Sequence, residues 1–172
     1  VVFMKLSKYL FILVTVFLST ATIAQRDFTD VADRDFEDQK YAVAIDNYKK
    51  AYSKTKDRSE KDRIRFQMAE CYRLMNNTKR AEVYYKGLYR TNYYKKEPVV
   101  LLHYANMLKM NQKYDEAIPN FDEYIKLRPD DPRGPDGLKS CMLQKEWFEN
   151  PTNHQIVNLR SVNSREDDFA PA

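Results

Sequence analysis

The sequence predicts an all-α fold, a right-handed helical solenoid of about three αα-hairpins plus a capping helix, followed by a short irregular or β tail. Three observations support this prediction. The chain has 3 glycines against 13 tyrosines, which favours helices over a turn-rich β fold. An alanine-centred pattern recurs at Ala44, Ala81 and Ala117, at intervals of 37 and 36 residues. Each copy contains two helical patterns separated by a short polar break, as expected for stacked hairpins.

The spacing inside each copy has a physical cause, which is clearest in the stretch Lys113–Pro129. Ala117 is followed by Phe121 four residues later and by Tyr124 three residues after that, while Ala105 lies twelve residues before Ala117. Residues at these intervals share one face of a helix. Because alanine is small, a neighbouring helix can approach closely there. Two such alanines therefore predict the contact points of one hairpin.

The other two copies carry the same pattern and extend the prediction along the chain. Ser59 and Thr78 are predicted N-caps, and Pro98 suits a first helical turn. The predicted helices are about Asp27–Asp38, Ala42–Thr55, Ser59–Met75, Thr78–Thr91, Pro98–Met110, Tyr114–Leu127 and Asp136–Phe148.

The pattern resembles the tetratricopeptide repeat, a family of helical hairpins that stack into a solenoid. The third copy resembles it best, since Pro129 closes the second helix as the proline of that repeat does. The first two copies have Lys56 and Tyr93 at that position, and alanine replaces the glycine often found in the first helix. The resemblance runs from about Gln25 to Glu149. It implies that the first helices line an inner, concave surface.

Composition limits the classes of function. The 172 residues suffice for one domain, and the net charge is +4. Lys5 and Lys8 lie in the N-terminal segment 1–24. Without them, 27 of the 29 basic residues remain against 25 acidic residues, and the net charge is +2. Such a balance does not favour nucleic-acid binding.

No catalytic arrangement is recognisable, and we predict a protein that is not an enzyme and needs no cofactor, metal or small-molecule substrate. His103 and His154 are isolated from any Cys/His cluster or H-E-x-x-H motif. His103 fits a packing or groove position on its helix better than a metal ligand. The enzyme alternative would require a cleft with convergent titratable groups.

Residues 1–24 have the features of a signal peptide. Lys5 and Lys8 supply positive charge, Leu10–Leu18 forms an apolar core, and small residues lead to Ala24. We predict cleavage after Ala24 and a periplasmic, outer-membrane-associated protein that begins at Gln25. The alternative is an uncleaved membrane anchor, although the apolar run is short for a bilayer span.

Cys71 and Cys141 are the two cysteines of the chain. Export would permit a disulfide. However, Cys71 lies on the first helix of the second hairpin and Cys141 on the helix after the third. These helices are about two repeats apart in a solenoid, beyond the roughly 7 Å that a disulfide allows between Cα atoms. We therefore predict two buried free thiols.

The last predicted helix has no partner hairpin. We expect Leu138, Met142 and Trp147 to pack over the third repeat and close the array. Pro151 disfavours helix at the residue before it, and the following residues lack a helical period. We predict a linker and the start of a truncated β-propeller domain at residues 150–172, with residues 152–172 open to protease.

The junction carries a second resemblance. The leader, the repeats and the residues that follow them are similar to a PorE-like group of OmpA-family envelope proteins from Bacteroidetes, some of which act in type IX secretion. In that group the repeats precede a β-propeller and a peptidoglycan-binding OmpA-like domain. The matching residues are Ser140, Cys141, Trp147, Asn150, Pro151, Asn163, Ser164, Asp168, Phe169, Ala170 and Pro171.

These observations lead to the hypothesis of a protein-interaction or scaffold module in the cell envelope. The alternative is a structural spacer that only positions C-terminal domains, through which any contact with peptidoglycan or the outer membrane would be made. The expected partner is a protein or a peptide in the concave groove. The groove is predicted to be lined by Phe36, Glu37, Arg63, Phe66, Glu70, Arg73, Leu102, His103, Asn106 and Lys109.

Overall fold

The computed structural model of the chain describes residues 28–153. The predicted signal peptide and residues 154–172 of the predicted tail lie outside this range. We number the helices in chain order. They are α1 (helical residues 28–37), α2 (Tyr41–Lys54), α3 (Arg58–Leu74), α4 (Thr78–Arg90), α5 (Val99–Met110), α6 (Tyr114–Leu127) and α7 (Arg133–Glu149), with a 3-10 turn at Tyr93–Lys95 before α5.

Each of the helices from α2 to α6 packs against the next one along the chain, and α7 also contacts α5. No strand occurs in residues 28–153, so the all-α prediction is confirmed there. Predicted and observed helix ends differ by three residues at most. Successive helices that contact each other in this way form a stack of hairpins, with α3 and α5 as the first helices of the second and third hairpins.

The alanines of the repeated pattern lie where the helices cross. Each of them has no solvent-exposed surface, and the aromatic residues four positions after the second-helix alanines are equally buried. Added volume at these positions would have to displace a helix or a buried ring. The alanines are Ala32, Ala44, Ala69, Ala81, Ala105 and Ala117, and the aromatic residues are Tyr48, Tyr85 and Phe121.

Each hairpin turn contains one residue in the left-handed conformation: Gln39 (φ 60°), Asn76 (φ 55°) and Gln112 (φ 61°). After Asn76, the N–H of Asn77 donates to the carbonyl of Tyr72 at 2.8 Å. This hydrogen bond closes the end of α3 in the manner of a Schellman motif. The equivalent bonds run from Lys40 to Asp35 and from Lys113 to Leu108.

The helix caps differ from the predicted ones. Asp57, and not Ser59, caps α3, because its carboxylate accepts from the N–H of Ser59 at 3.0 Å. Asn77, and not Thr78, caps α4 by accepting from the N–H of Arg80 at 3.3 Å. Both predicted caps lie inside the observed helices. Asp and Asn cap helices as well as Ser and Thr do, so the residues before the predicted caps were equally suitable.

The side of α7 that packs against the third hairpin differs from the predicted side. Its buried positions are Gly134 and Cys141, with Leu138 partly buried. Met142 and Trp147 are 55% and 66% exposed, so the prediction that they pack over the third repeat is wrong. The small residues of α7 face α6 because they let the two helices approach closely.

Both cysteines are free and buried, as predicted. Burial raises the pKa of the Cys71 thiol to about 12, which keeps it protonated at neutral pH. Within residues 28–153, no three His, Cys, Asp or Glu side chains are grouped so that they could hold a metal ion. None of the described helices is long and apolar enough to cross a membrane.

Candidate functional site

A polar pair recurs on the first two hairpins. The residue that follows the first-helix alanine is Asp33 in α1 and Glu70 in α3. The hydroxyl of Tyr48 on α2 donates to Asp33 Oδ1 at 2.6 Å, and the hydroxyl of Tyr85 on α4 donates to Glu70 Oε1. Each pair therefore ties together the two helices of one hairpin.

A side chain from the next first helix completes each pair. Arg63 Nη1 on α3 lies 3.3 Å from Asp33 Oδ2, and His103 Nδ1 on α5 lies 2.7 Å from Glu70 Oε1. Arg73, three residues after Glu70, donates through Nη2 to Glu70 Oε2 at 2.5 Å. Glu70 thus joins α3, α4 and α5.

The surroundings of Glu70 fix its charge. The residue is 8% exposed, and this burial opposes ionisation. Hydrogen bonds from His103, Arg73 and Tyr85 outweigh it and lower the pKa of Glu70 to about 2. Burial and the nearby charge of Glu70 raise the pKa of the Tyr85 hydroxyl. At neutral pH, a buried carboxylate therefore accepts from a neutral phenol.

The third hairpin departs from this pattern. Its equivalent residues are Asn106 on α5 and Phe121 on α6, which supply neither the carboxylate nor the hydroxyl. Asn106 Nδ2 donates to the carbonyl of Leu102 in its own helix at 2.9 Å. Among the described residues, no hydrogen bond reaches Asn106 Oδ1. That oxygen can therefore accept from a bound molecule.

A groove of about 600 Å³ lies beside the third hairpin, where the pair of carboxylate and tyrosine hydroxyl is missing. It runs between the end of α3, the exposed side of α5, and α7, so each of its walls comes from a different helix. Its lining residues are Arg73, Asn76, Leu102, His103, Asn106, Met107, Lys109, Met110, Arg133 and Gln144.

The lining of the groove includes basic side chains and no acidic one. Lys109 Nζ donates to Ser140 Oγ at 3.3 Å and lies 5.8 Å from the centre of the Phe121 ring. It forms no ion pair within residues 28–153. Arg133 is held at the other end of the groove, where its Nη2 donates to Asp131 Oδ2 at 2.6 Å.

The groove contains half of the residues predicted to line it. Glu70 lies behind the groove as the acceptor for two of them. Arg63 is bound to acidic neighbours nearer the first hairpin, and Glu37 is exposed on α1. The predicted residues that line the groove are Arg73, Leu102, His103, Asn106 and Lys109.

The two predicted aromatic residues serve in packing. The ring centres of Phe36 and Tyr41 are 5.6 Å apart, and those of Phe66 and Tyr93 are 6.2 Å apart. Both phenylalanines are partly buried against the core. Neither lines the groove between α3, α5 and α7.

Helix α7 supplies Arg133 and Gln144 to the groove, and neither residue was predicted from the sequence. One signal could have found it. Cys141 follows Ala105 by 36 residues, and Ala105 follows Ala69 by 36 residues. Because a cysteine takes the place of the alanine, α7 did not stand out as a further first helix.

The outer side of α7 carries an apolar surface, which we call the α7 stripe. A shallow depression of about 450 Å³ runs along it, and exposed Trp147 extends it toward the end of the helix. No described helix packs on this side. The depression is lined by Pro135, Leu138, Lys139, Met142, Leu143 and Glu146.

Comparison with known proteins gives a result for the fold. No family model and no curated protein matches the chain. Among solved structures, the chain is similar to the C-terminal TPR-containing domain of a Plasmodium falciparum protein described as an FK506-binding protein. The TM-score is 0.63 at 15% sequence identity, over 75% of this chain and 93% of that domain.

The fold is a solenoid of tetratricopeptide-like hairpins. In these terms α3 and α5 are the first helices of the second and third repeats, and α7 occupies the place of the next first helix. The groove therefore lies on the side of the solenoid that first helices form.

Proposed function

We propose that this chain is a protein-interaction module that holds an extended peptide or a protein loop in the groove between α3, α5 and α7. The observation that carries the proposal is the departure from the polar pattern at the third hairpin. In the first two hairpins, the equivalent carboxylates are bound within the protein. At the third hairpin, Asn106 and Lys109 line an open groove instead.

The groove offers the contacts that an extended peptide needs. Asn106 Oδ1 can accept a main-chain N–H, and Lys109 can donate to carbonyls or carboxylates. Met110, which is 53% exposed, adds apolar area at the edge of the groove, and methionine adapts to irregular surfaces. Because Glu70 already fixes part of the wall, binding costs less side-chain entropy.

We further propose that the module belongs to an exported protein of the cell envelope. The charged and apolar pattern of residues 1–24 and the similarity of residues 140–171 to the PorE-like group support this proposal. Association with the outer membrane or peptidoglycan, and a part in type IX secretion, rest on that similarity. N-terminal sequencing of the exported protein is expected to give Gln25; an exported chain that still carries the apolar segment of residues 1–24 would refute cleavage.

Capture of partners from an envelope extract tests the proposed function. We expect the full chain to retain proteins that an Asn106→Ala/Lys109→Ala variant does not. The matched control is Lys56→Ala/Lys79→Ala, which removes two exposed lysines outside the groove. Circular dichroism checks that each variant is folded. If the folded groove variant retains every partner, the groove is not the binding site.

The second candidate is the structural spacer, and the α7 stripe favours it. An apolar helix face of this kind is normally covered by a packed partner. Under this alternative, the occupant is the β-propeller domain that we expect to begin within residues 150–172. The groove variant would then leave partner capture unchanged.

Residues 152–172 are still predicted to be removed by protease, and resistance equal to that of the helices would mean that they cover the stripe themselves.

A further inference from the structure

The charge of the groove narrows the chemistry of its occupant. We infer that the occupant is an internal acidic segment of a protein, whose side-chain carboxylates bind Arg73, Lys109 and Arg133. This inference rests on the proposed function, since it names the kind of peptide that the same groove takes.

The acidic residues near the groove are already bound within the protein, so they do not compete with such a segment. Glu70 is buried, with Oε1 bound by Tyr85 and His103 and Oε2 bound by Arg73. Asp131 is bound by Arg133. These two carboxylates compensate two of the three formal positive charges of the lining. The charge of Lys109 stays uncompensated among the described residues, so the groove attracts anions.

Each of the two arginines is oriented by one carboxylate and leaves one side of its guanidinium group open to a ligand. Arg73 uses Nε and Nη2 on Glu70, while Arg133 uses Nε and Nη2 on Asp131. Within the described part of the chain, no hydrogen bond involves Nη1 of either residue. A guanidinium has five N–H donors, so each can bind a second carboxylate without releasing the first.

The placement of the basic groups fits carboxylates spaced along a peptide better than one terminal carboxylate. Arg73, Lys109 and Arg133 belong to three different helices, α3, α5 and the start of α7. Packed helices are about 8–10 Å apart. Because an extended peptide advances about 3.3 Å per residue, acidic residues at every third position would meet successive helices.

The test is an NMR titration of the full chain at low salt with three defined nonapeptides. The first is N-acetylated and C-amidated, with glutamate at every third position. The second has glutamine in place of each glutamate, and the third is this glutamine peptide with a free C-terminal carboxylate. We expect the glutamate peptide to shift the Nε–Hε signals of Arg73 and Arg133 and the amide signals of residues 102–110. We expect both glutamine peptides to bind much more weakly, and salt to weaken the glutamate peptide's binding.

Charge reversal supplies the matched control. Lys109→Glu should weaken binding of the glutamate peptide roughly five- to tenfold, whereas Lys79→Glu on the exposed side of α4 should leave it unchanged. Equal binding of the glutamate and glutamine peptides, dependence on the free C-terminal carboxylate, or absence of glutamate-peptide binding would each overturn the inference. If partner capture still depends on Asn106 and Lys109 in those cases, the proposed function survives and only the acidic ligand is wrong.

Discussion

His103 Nδ1 on α5 lies 2.7 Å from Glu70 Oε1 on α3, so a buried polar contact joins the first helices of two successive hairpins. Tyr85 brings α4 into the same contact. The carboxylate therefore connects three helices and fixes one wall of the groove. We therefore expect the stability of the fold and the shape of the groove to depend on it.

Glu70→Gln tests the contribution of this carboxylate to stability. The amide keeps the size of the side chain but loses the charge that strengthens three hydrogen bonds. We expect the free energy of unfolding to fall by about 2–3 kcal/mol. Urea denaturation measures it, with Glu37→Gln on the exposed surface of α1 as the control. The control should change stability by less than about 0.5 kcal/mol. Equal effects of the two changes would refute this account of Glu70.

The same residue predicts a pH dependence. The pKa of Glu70 is lowered from 4.5 to about 2 in the folded protein. Its carboxylate therefore stabilises the fold fully above the unfolded pKa, and this stabilisation is lost as the pH falls through the folded pKa. We expect the difference in unfolding free energy between wild type and Glu70→Gln to shrink from about pH 5 to about pH 2. A difference that stays constant over this range would contradict the assigned pKa.

Ala81→Leu and Ala117→Leu test the helix crossings. Both alanines are fully buried, so three added carbon atoms must displace a neighbouring helix. We expect a loss of about 1–3 kcal/mol for each, seen as a lower melting temperature. Val83→Leu is the control, because Val83 is exposed on the same helix as Ala81. Unchanged melting of the alanine variants would mean that the hairpin register is wrong.

Replacing glycine by alanine is expected to have opposite effects on stability at two helical positions. A Cβ at Gly137 on α7 would collide with the ring of Phe121, which is buried. At Gly87 on α4, the nearest atom is Cδ of Arg65, at 3.1 Å, so only a small shift of that side chain is needed. We expect Gly137→Ala to destabilise the fold by about 1–3 kcal/mol.

We expect Gly87→Ala to be neutral or to stabilise the fold by up to about 1 kcal/mol, because alanine is the better helix former. Thermal melts of both variants provide the measurement. A stable Gly137→Ala protein would show that α7 does not pack closely on α6.

The sequence predicted the helices well because the alanine spacing is set by backbone packing, which tolerates little variation. It did not predict the left-handed residues Gln39 and Gln112, since glutamine is not typical of that conformation. It placed Met142 on the wrong side of α7. The buried position that corresponds to the alanine of the other first helices is occupied by Cys141, so the pattern was not recognised there. Half of the residues named from the sequence line the groove between α3, α5 and α7. The others do not, because hydrophobic spacing reveals which face of a helix is buried but not which polar side chains bind one another.

Site-specific photo-crosslinking in intact envelopes tests the central claim most directly. A benzophenone side chain replaces Met110, which is exposed at the edge of the groove, and separately replaces Val83, which is exposed on α4 outside it. We expect a crosslinked protein partner from position 110 that is absent from position 83 and lost with Lys109→Glu. Crosslinking at position 83 alone, or a product at position 110 that Lys109→Glu leaves unchanged, would contradict binding in the groove.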